Sequence, residues 1–133
     1  MPRKKTIGRA RQAKRQGKAP TTQAGEFVHE EIEHIRRGKH GARSTKQAIA
    51  IGLSKARRAG VRLKPPRRGR TSAATRRNAE RAYRQGRRGQ RRPPSARRSR
   101  AVLKALKREG ARAASRTALA RQARGGARRR RKA

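Results

Sequence analysis

Nine large apolar side chains, Phe27, Val28, Ile32, Ile35, Ile49, Ile51, Leu53, Val61 and Leu63, fall within one window of 37 residues. Outside it stand Met1, Ile7, Tyr83, Val102, Leu103, Leu106 and Leu119. Burying apolar area is the main favourable term in folding, so a module can close over that window and not over the whole length. Charge sharpens the division. The 133 residues hold 44 Lys and Arg against 6 Asp and Glu, a formal net charge of +38, with 30% hydrophobic residues. Low hydrophobicity with high net charge favours disorder, because burial cannot offset the entropy of ordering the chain. Residues 64–133 alone carry 27 basic and 2 acidic residues. The expected organisation is a basic disordered arm over 1–25, a helical module over 26–63, and an Arg/Ala/Gly-rich tail over 64–133 with transient helices.

Ser44 to Gly60 reads as a helix with both ends marked. Ser44 and Gln47 form an S-x-x-Q capping box, in which Gln47 is expected to reach back to Ser44. Gly60 suits the left-handed residue after a helix, with Val61 folding back on Ala56. Ile49, Gly52, Leu53 and Ala56 make one apolar face, and Ile51 lies off it. A second helix is expected over 26–37, with Glu26 in its first turn, Thr22 or Gly25 as its cap and Gly38 as its stop. The short link from Gly38 to Arg43 implies an antiparallel hairpin. The fold class is therefore mainly α: a short antiparallel helical hairpin, with core residues Phe27, Ile32, Ile35, Ile49 and Leu53, flanked by disordered or weakly helical Arg-rich arm and tail. Val61 and Leu63 could lie across it as an extended strap.

Four of the six acids, Glu26, Glu30, Glu31 and Glu33, lie in the first helix. Ion pairing with Lys46, Lys55 and Arg57 of the neighbouring helix is their expected role. His29, Glu30, Glu33 and His34 depart from the H-E-x-x-H spacing of zinc helices, so no metal site is expected. No cysteine is present to supply a thiolate. No nucleophile–base–orienter set and no Gly-rich phosphate loop can be assembled, and neither enzymatic activity nor a cofactor nor a small-molecule substrate is expected. No stretch approaches a membrane span or a signal peptide, and the expected location is the cytoplasm, on the nucleoid.

The basic residues are the candidate binding groups. In the arm these are Arg3, Lys4 and Lys5. Beyond the module they are Arg67, Arg68 and Arg70, then Arg76, Arg77, Arg87 and Arg88, then Arg91, Arg92, Arg97 and Arg98. The run Arg128, Arg129, Arg130 and Arg131 closes the set. Helical fragments are expected at 72–85, 99–109 and 115–124, none with an apolar face wide enough to stand alone.

The word QAIAIGLSKARRAG at 47–60, preceded by EFVHEEIEHIRRGKHGARSTK, resembles a family of small bacterial proteins classed as a domain of unknown function. The shared pattern is QAIAI(A/G)LSxARxAG, here with Gly52 where Ala is commoner and Lys55 where an acid is common. The resemblance covers residues 26–60 and implies no activity. The tail is similar in composition to the C-terminal domain of linker histones.

The reading that follows is sequence-independent binding of nucleic acid, DNA before RNA, driven by counterion release. One Phe and one Tyr provide no stacking platform for single strands. The competing readings are an RNA- or ribosome-associated basic protein and a protein-interaction adaptor that its tail localises. Ile51 would then be a contact for a protein partner or for self-association. A membrane surface is disfavoured, since the tail lacks the apolar face it needs.

Overall fold

The computed structural model describes residues 3–89 and 95–132, with residues 127–132 by backbone alone. The fold is mainly α. Its helices are α1 (Lys4–Arg15), α2 (Pro20–Arg36), α3 (Thr45–Arg58), α4 (Ala73–Arg87), α5 (Ala96–Arg108) and α6 (Arg116–Lys132), with a 3₁₀ turn at Arg112–Ala114. An isolated bridge between Arg68 and Thr71 is the extended pairing found among the described residues.

The capped helix forms as its sequence dictates. Gln47 N–H donates to Ser44 Oγ at 3.1 Å. The return bond differs by one residue: Gln47 Oε1 accepts from the N–H of Arg43, at 2.6 Å. At the other end Gly60 has φ 103°, Val61 N–H donates to Ala56 C=O at 3.0 Å, and Gly60 N–H donates to Arg57 C=O at 3.1 Å. These two bonds are the Schellman pair.

Two expectations are corrected at the N-terminus. Residues 4–15, expected to be structureless, are α1. Thr6, Ala10 and Ala13 recur at i, i+4 and i+7 and are buried. The helix is thus anchored by small residues that a count of large apolar side chains passes over. The second helix starts at Pro20, six residues before Glu26. Proline is well suited to a first helical position, where its missing N–H is not needed. Glu26 is consequently in mid-helix, and Gly25 is passed through.

The chain divides into two compact units, each discontinuous in sequence: Met1–Glu30 with Ala50–Pro93, and Glu31–Ile49 with Pro94–Ala133. This division does not follow the segments 1–25, 26–63 and 64–133. In the first unit, the early part of α2 packs on the late part of α3. Ala10, Ala24, Phe27, Ala56 and Val61 form its buried cluster, and Ile7, Leu53 and Leu63 pack against it. Val61 and Leu63 therefore do strap this core. Arg57 holds the strap: Nε donates to Leu63 C=O at 3.0 Å and Nη2 to Lys64 C=O at 3.2 Å. Its guanidinium thus meets main-chain carbonyls rather than the acids expected for it. Burial lowers the Arg57 pKa, but a guanidinium keeps its proton in proteins.

In the second unit, Ile35, Ala42, Ala48, Ala113 and Ala114 form the buried cluster, with Ile32 packed against it. The 3₁₀ turn is tied down by two side chains. Arg36 Nε donates to Ala114 C=O at 3.1 Å, and Thr45 Oγ1 donates to Ala113 C=O at 2.6 Å. Of the five expected core residues, Phe27 and Ile35 are buried, while Ile32, Ile49 and Leu53 are half-buried. The buried stripe of α3 is Thr45, Ala48, Gly52 and Ala56. It shares Gly52 and Ala56 with the expected face and is rotated from Ile49 and Leu53 toward Thr45 and Ala48, because small residues let backbones approach. A Cβ on Gly52 would stand 2.6 Å from Val28 Cα. Ile51 is half-buried and belongs to neither cluster.

Candidate nucleic-acid interface

The first unit carries an organised basic face on α4. Ser72 caps this helix, its Oγ accepting from Thr75 N–H at 3.2 Å. With about 100° between successive residues, Ala79, Ala82 and Gly86 share one side. Ala79 and Ala82 are buried, and a Cβ on Gly86 would coincide with the main-chain carbonyl of Arg57. On the opposite side, Arg77, Arg81, Arg84 and Arg88 fall at i, i+4, i+7 and i+11, and all four are exposed. They line a shallow groove together with Glu80 and Gln85.

Glu80 borders the stripe. It pairs with Arg84 Nη2 at 3.7 Å and with Arg76 Nη1 at 3.5 Å, each one turn away. Exposed pairs of this kind contribute only about 0.3–0.5 kcal/mol, so Glu80 orients Arg84 without neutralising the row. Arg87 lies over the Tyr83 ring, 5.8 Å from its centroid. Tyr83 is half-buried, and Phe27, at 1% exposure, is withdrawn from any base.

The other candidate residues are placed as follows. Lys4 and Lys5 are exposed in the first turn of α1. Arg3 is committed elsewhere: its N–H donates to Glu30 Oε1 at 2.9 Å, and its Nε lies 3.8 Å from the same oxygen. This gives the buried Glu30 a partner at α1's leading edge. Arg67, Arg68 and Arg70 are exposed on a turn closed by Arg70 N–H to Arg67 C=O at 3.2 Å. Arg76 is half-buried beside Glu80, whereas Arg87, the last residue of α4, and Arg88, its C-cap, are exposed. Arg97 and Arg98 are exposed in the first turn of α5, in the second unit. Arg91 and Arg92 lie outside the described residues. Arg128, Arg129, Arg130 and Arg131 belong to the stretch of α6 described by backbone alone.

Arg81 and Arg84 were not among the expected binding residues. The signal that reveals them is the Ala79–Ala82–Gly86 side, which fixes which arginines must point outward. The tail helices themselves fall close to the expected fragments. Helix α4 spans the first, α5 starts earlier, behind Ser95, and α6 follows Ser115, whose Oγ accepts from Ala118 N–H at 3.1 Å.

These features define a small, strongly basic α-helical protein with small-residue packing and an outward arginine row. Residues 5–68 match the model of a family of unknown function, DUF6496. The matched stretch runs from α1 to Arg68, just past the proline pair that follows the strap, and takes in the QAIAIGLSKARRAG word. No curated protein and no solved structure matches the chain. No helix among the described residues is long and apolar enough to cross a membrane.

Proposed function

We propose that this protein binds duplex nucleic acid without sequence preference, DNA foremost, by neutralising backbone phosphates. The observation that carries this reading is the Arg77–Arg81–Arg84–Arg88 row, held outward by the buried side of its own helix. Eleven residues of helix span about 16 Å. One strand of a duplex offers a phosphate every ~3.4 Å of axis, so four guanidiniums over that length come close to the phosphate density of one strand. Guanidinium forks suit phosphate oxygens better than ammonium groups do. With Phe27 buried, Tyr83 alone makes no stacking platform, which favours duplex over single strands. The location that goes with this reading is the nucleoid.

Salt dependence tests it. With about 10 phosphate contacts, log K falls with log salt at a slope of about −9. Replacing Arg77, Arg81, Arg84 and Arg88 together by glutamine makes the slope shallower by about 3–4, with helicity retained by circular dichroism. A wild-type slope near about −2, or an unchanged slope in the folded quadruple variant, defeats the reading. Competition between DNA and RNA duplexes of one sequence decides which is preferred.

A further inference from the structure

The second unit contains a cluster that the nucleic-acid reading does not use. Glu31 and His34 occupy positions i and i+3 of α2, and His40 follows in the next loop. Each can offer one ligand atom, and these atoms all lie within 4.8 Å of one another. The Glu31 side chain is 1% exposed, His40 8% and His34 13%.

The main chain builds this site. Gly38 turns the chain at φ 76°, with Lys39 N–H donating to His34 C=O at 3.0 Å and Gly38 N–H donating to Ile35 C=O at 3.1 Å. The turn brings His40 back beside α2. The loop is then pinned by Gly41 N–H to Leu106 C=O at 2.8 Å and by Ala42 N–H to Gly110 C=O at 3.3 Å. A Cβ on Gly41 would coincide with the main-chain carbonyl of Glu109.

The bonding of His40 fixes which nitrogen faces the cluster. Its Nδ1 lies 2.9 Å from the Gly41 carbonyl oxygen. That oxygen can only accept, so Nδ1 carries a hydrogen and donates. In a neutral imidazole Nε2 then holds a lone pair, and it lies 3.3 Å from Glu31 Oε2. A positive centre between these two atoms, a proton or a metal ion, suits that separation. An imidazole that donates its second N–H to a backbone carbonyl is the usual outer arrangement of a metal-ligating histidine.

We propose that Glu31, His34 and His40 form a site for a first-row transition-metal dication, Zn²⁺ foremost. Two imidazoles and one carboxylate are the ligand set of open zinc sites, whereas Mg²⁺ and Ca²⁺ take oxygen. Ligands about 2.0 Å from a tetrahedral ion stand about 3.3 Å apart. The His40–Glu31 pair already has that separation, and His34 stands beside it, with Nδ1 3.9 Å from Glu31 Oε1. The ion would tie the loop after α2 to the helix itself. H-E-x-x-H spacing did not reveal the site, because its third ligand arrives through the turn at Gly38.

The chain has three histidines and no cysteine, which makes the test clean. The full-length protein, freed of nucleic acid, is titrated with Zn²⁺ against a chromogenic chelator. The expected result is one ion per chain, with affinity lowered tenfold or more in both His34→Gln and His40→Gln and changed less than twofold in His29→Gln. Loss of binding in His29→Gln, or undiminished affinity in His40→Gln, overturns the proposal. Circular dichroism reports whether each variant is folded. Should a variant unfold, the wild-type chain still decides by histidine-ring NMR. Zn²⁺ must shift the His34 and His40 ring nitrogens and spare those of His29, and the reverse pattern overturns the site.

Discussion

Helices α4 and α5 are close in length and both strongly basic, yet only α4 buries any of its residues. Judged by large apolar side chains, α5 is the better candidate for docking, since Val102, Leu103 and Leu106 lie on one side of it. It buries none of its residues, and Val102 and Leu103 are 53% and 42% exposed. Helix α4 offers only Ala79, Ala82 and Gly86 on its inner side, yet both alanines are buried. The difference is one of approach distance. A side of alanine and glycine lets a helix backbone lie directly on another backbone, whereas leucine and valine hold it off. Once α4 is seated, every arginine on its far side is turned to solvent, and the basic row follows from the packing.

The largest effect should come from breaking that approach. Gly86→Ala places a methyl on the Arg57 carbonyl, between two main-chain segments that cannot both stay. Overpacking of this kind costs about 1–3 kcal/mol, against which alanine's better helix propensity returns about 1. The net expectation is destabilisation in urea unfolding and loss of α4 helicity. Gly8→Ala in α1 is the matched control. No atom lies within 4 Å of its added Cβ, so propensity alone acts and stability rises by up to about 1 kcal/mol. If both substitutions stabilise, α4 is not seated through Gly86.

The same contrast explains what was legible in the sequence. Ser44, Gln47 and Gly60 act through local hydrogen bonds, and residues a few positions apart specify them, so α3 and its strap could be read directly. The seats of α1 and α4 could not, because Ala10 and Ala82 carry little hydrophobicity and their burial depends on partners distant in sequence. The division of the apolar window between two clusters was hidden likewise, as Ala113 and Ala114, which complete the second, lie far along the chain from Ile35. The arginine row could have been found by asking which side of α4 holds only small residues. The Glu31–His34–His40 cluster needed the turn at Gly38, whose geometry no ligand-spacing rule contains.

Capping should affect both helices alike, which isolates seating as their difference. Ser72 Oγ accepts from Thr75 N–H at 3.2 Å, and Ser95 Oγ accepts from Arg98 N–H at 3.2 Å. Replacing such a cap by alanine costs about 1 kcal/mol. Both helices begin without an acid in their first turn, so no side-chain charge compensates for the lost acceptor. Ser95→Ala should fray α5 locally, seen as faster amide exchange over its first turn. Ser72→Ala should also lower global stability, because α4 is packed through its buried side. Equal global losses in the two variants would mean that α5 is seated as firmly as α4.

The smallest effect is expected on the exposed side of α5. Val102→Gln combined with Leu103→Gln keeps helix propensity nearly constant, since glutamine ranks beside leucine and above valine. Both side chains are already about half in water, at 53% and 42% exposure, so only part of their burial is lost. Surface substitutions without a cap, a charge partner or a buried contact usually stay within about 0.5 kcal/mol. The unfolding midpoint and the exchange rates across α5 should therefore match the wild type. A loss above about 1 kcal/mol in this variant would mean that α5 buries its large side chains after all. The contrast with α4 would then be one of degree, with leucine and valine contributing on one helix what alanine and glycine contribute on the other.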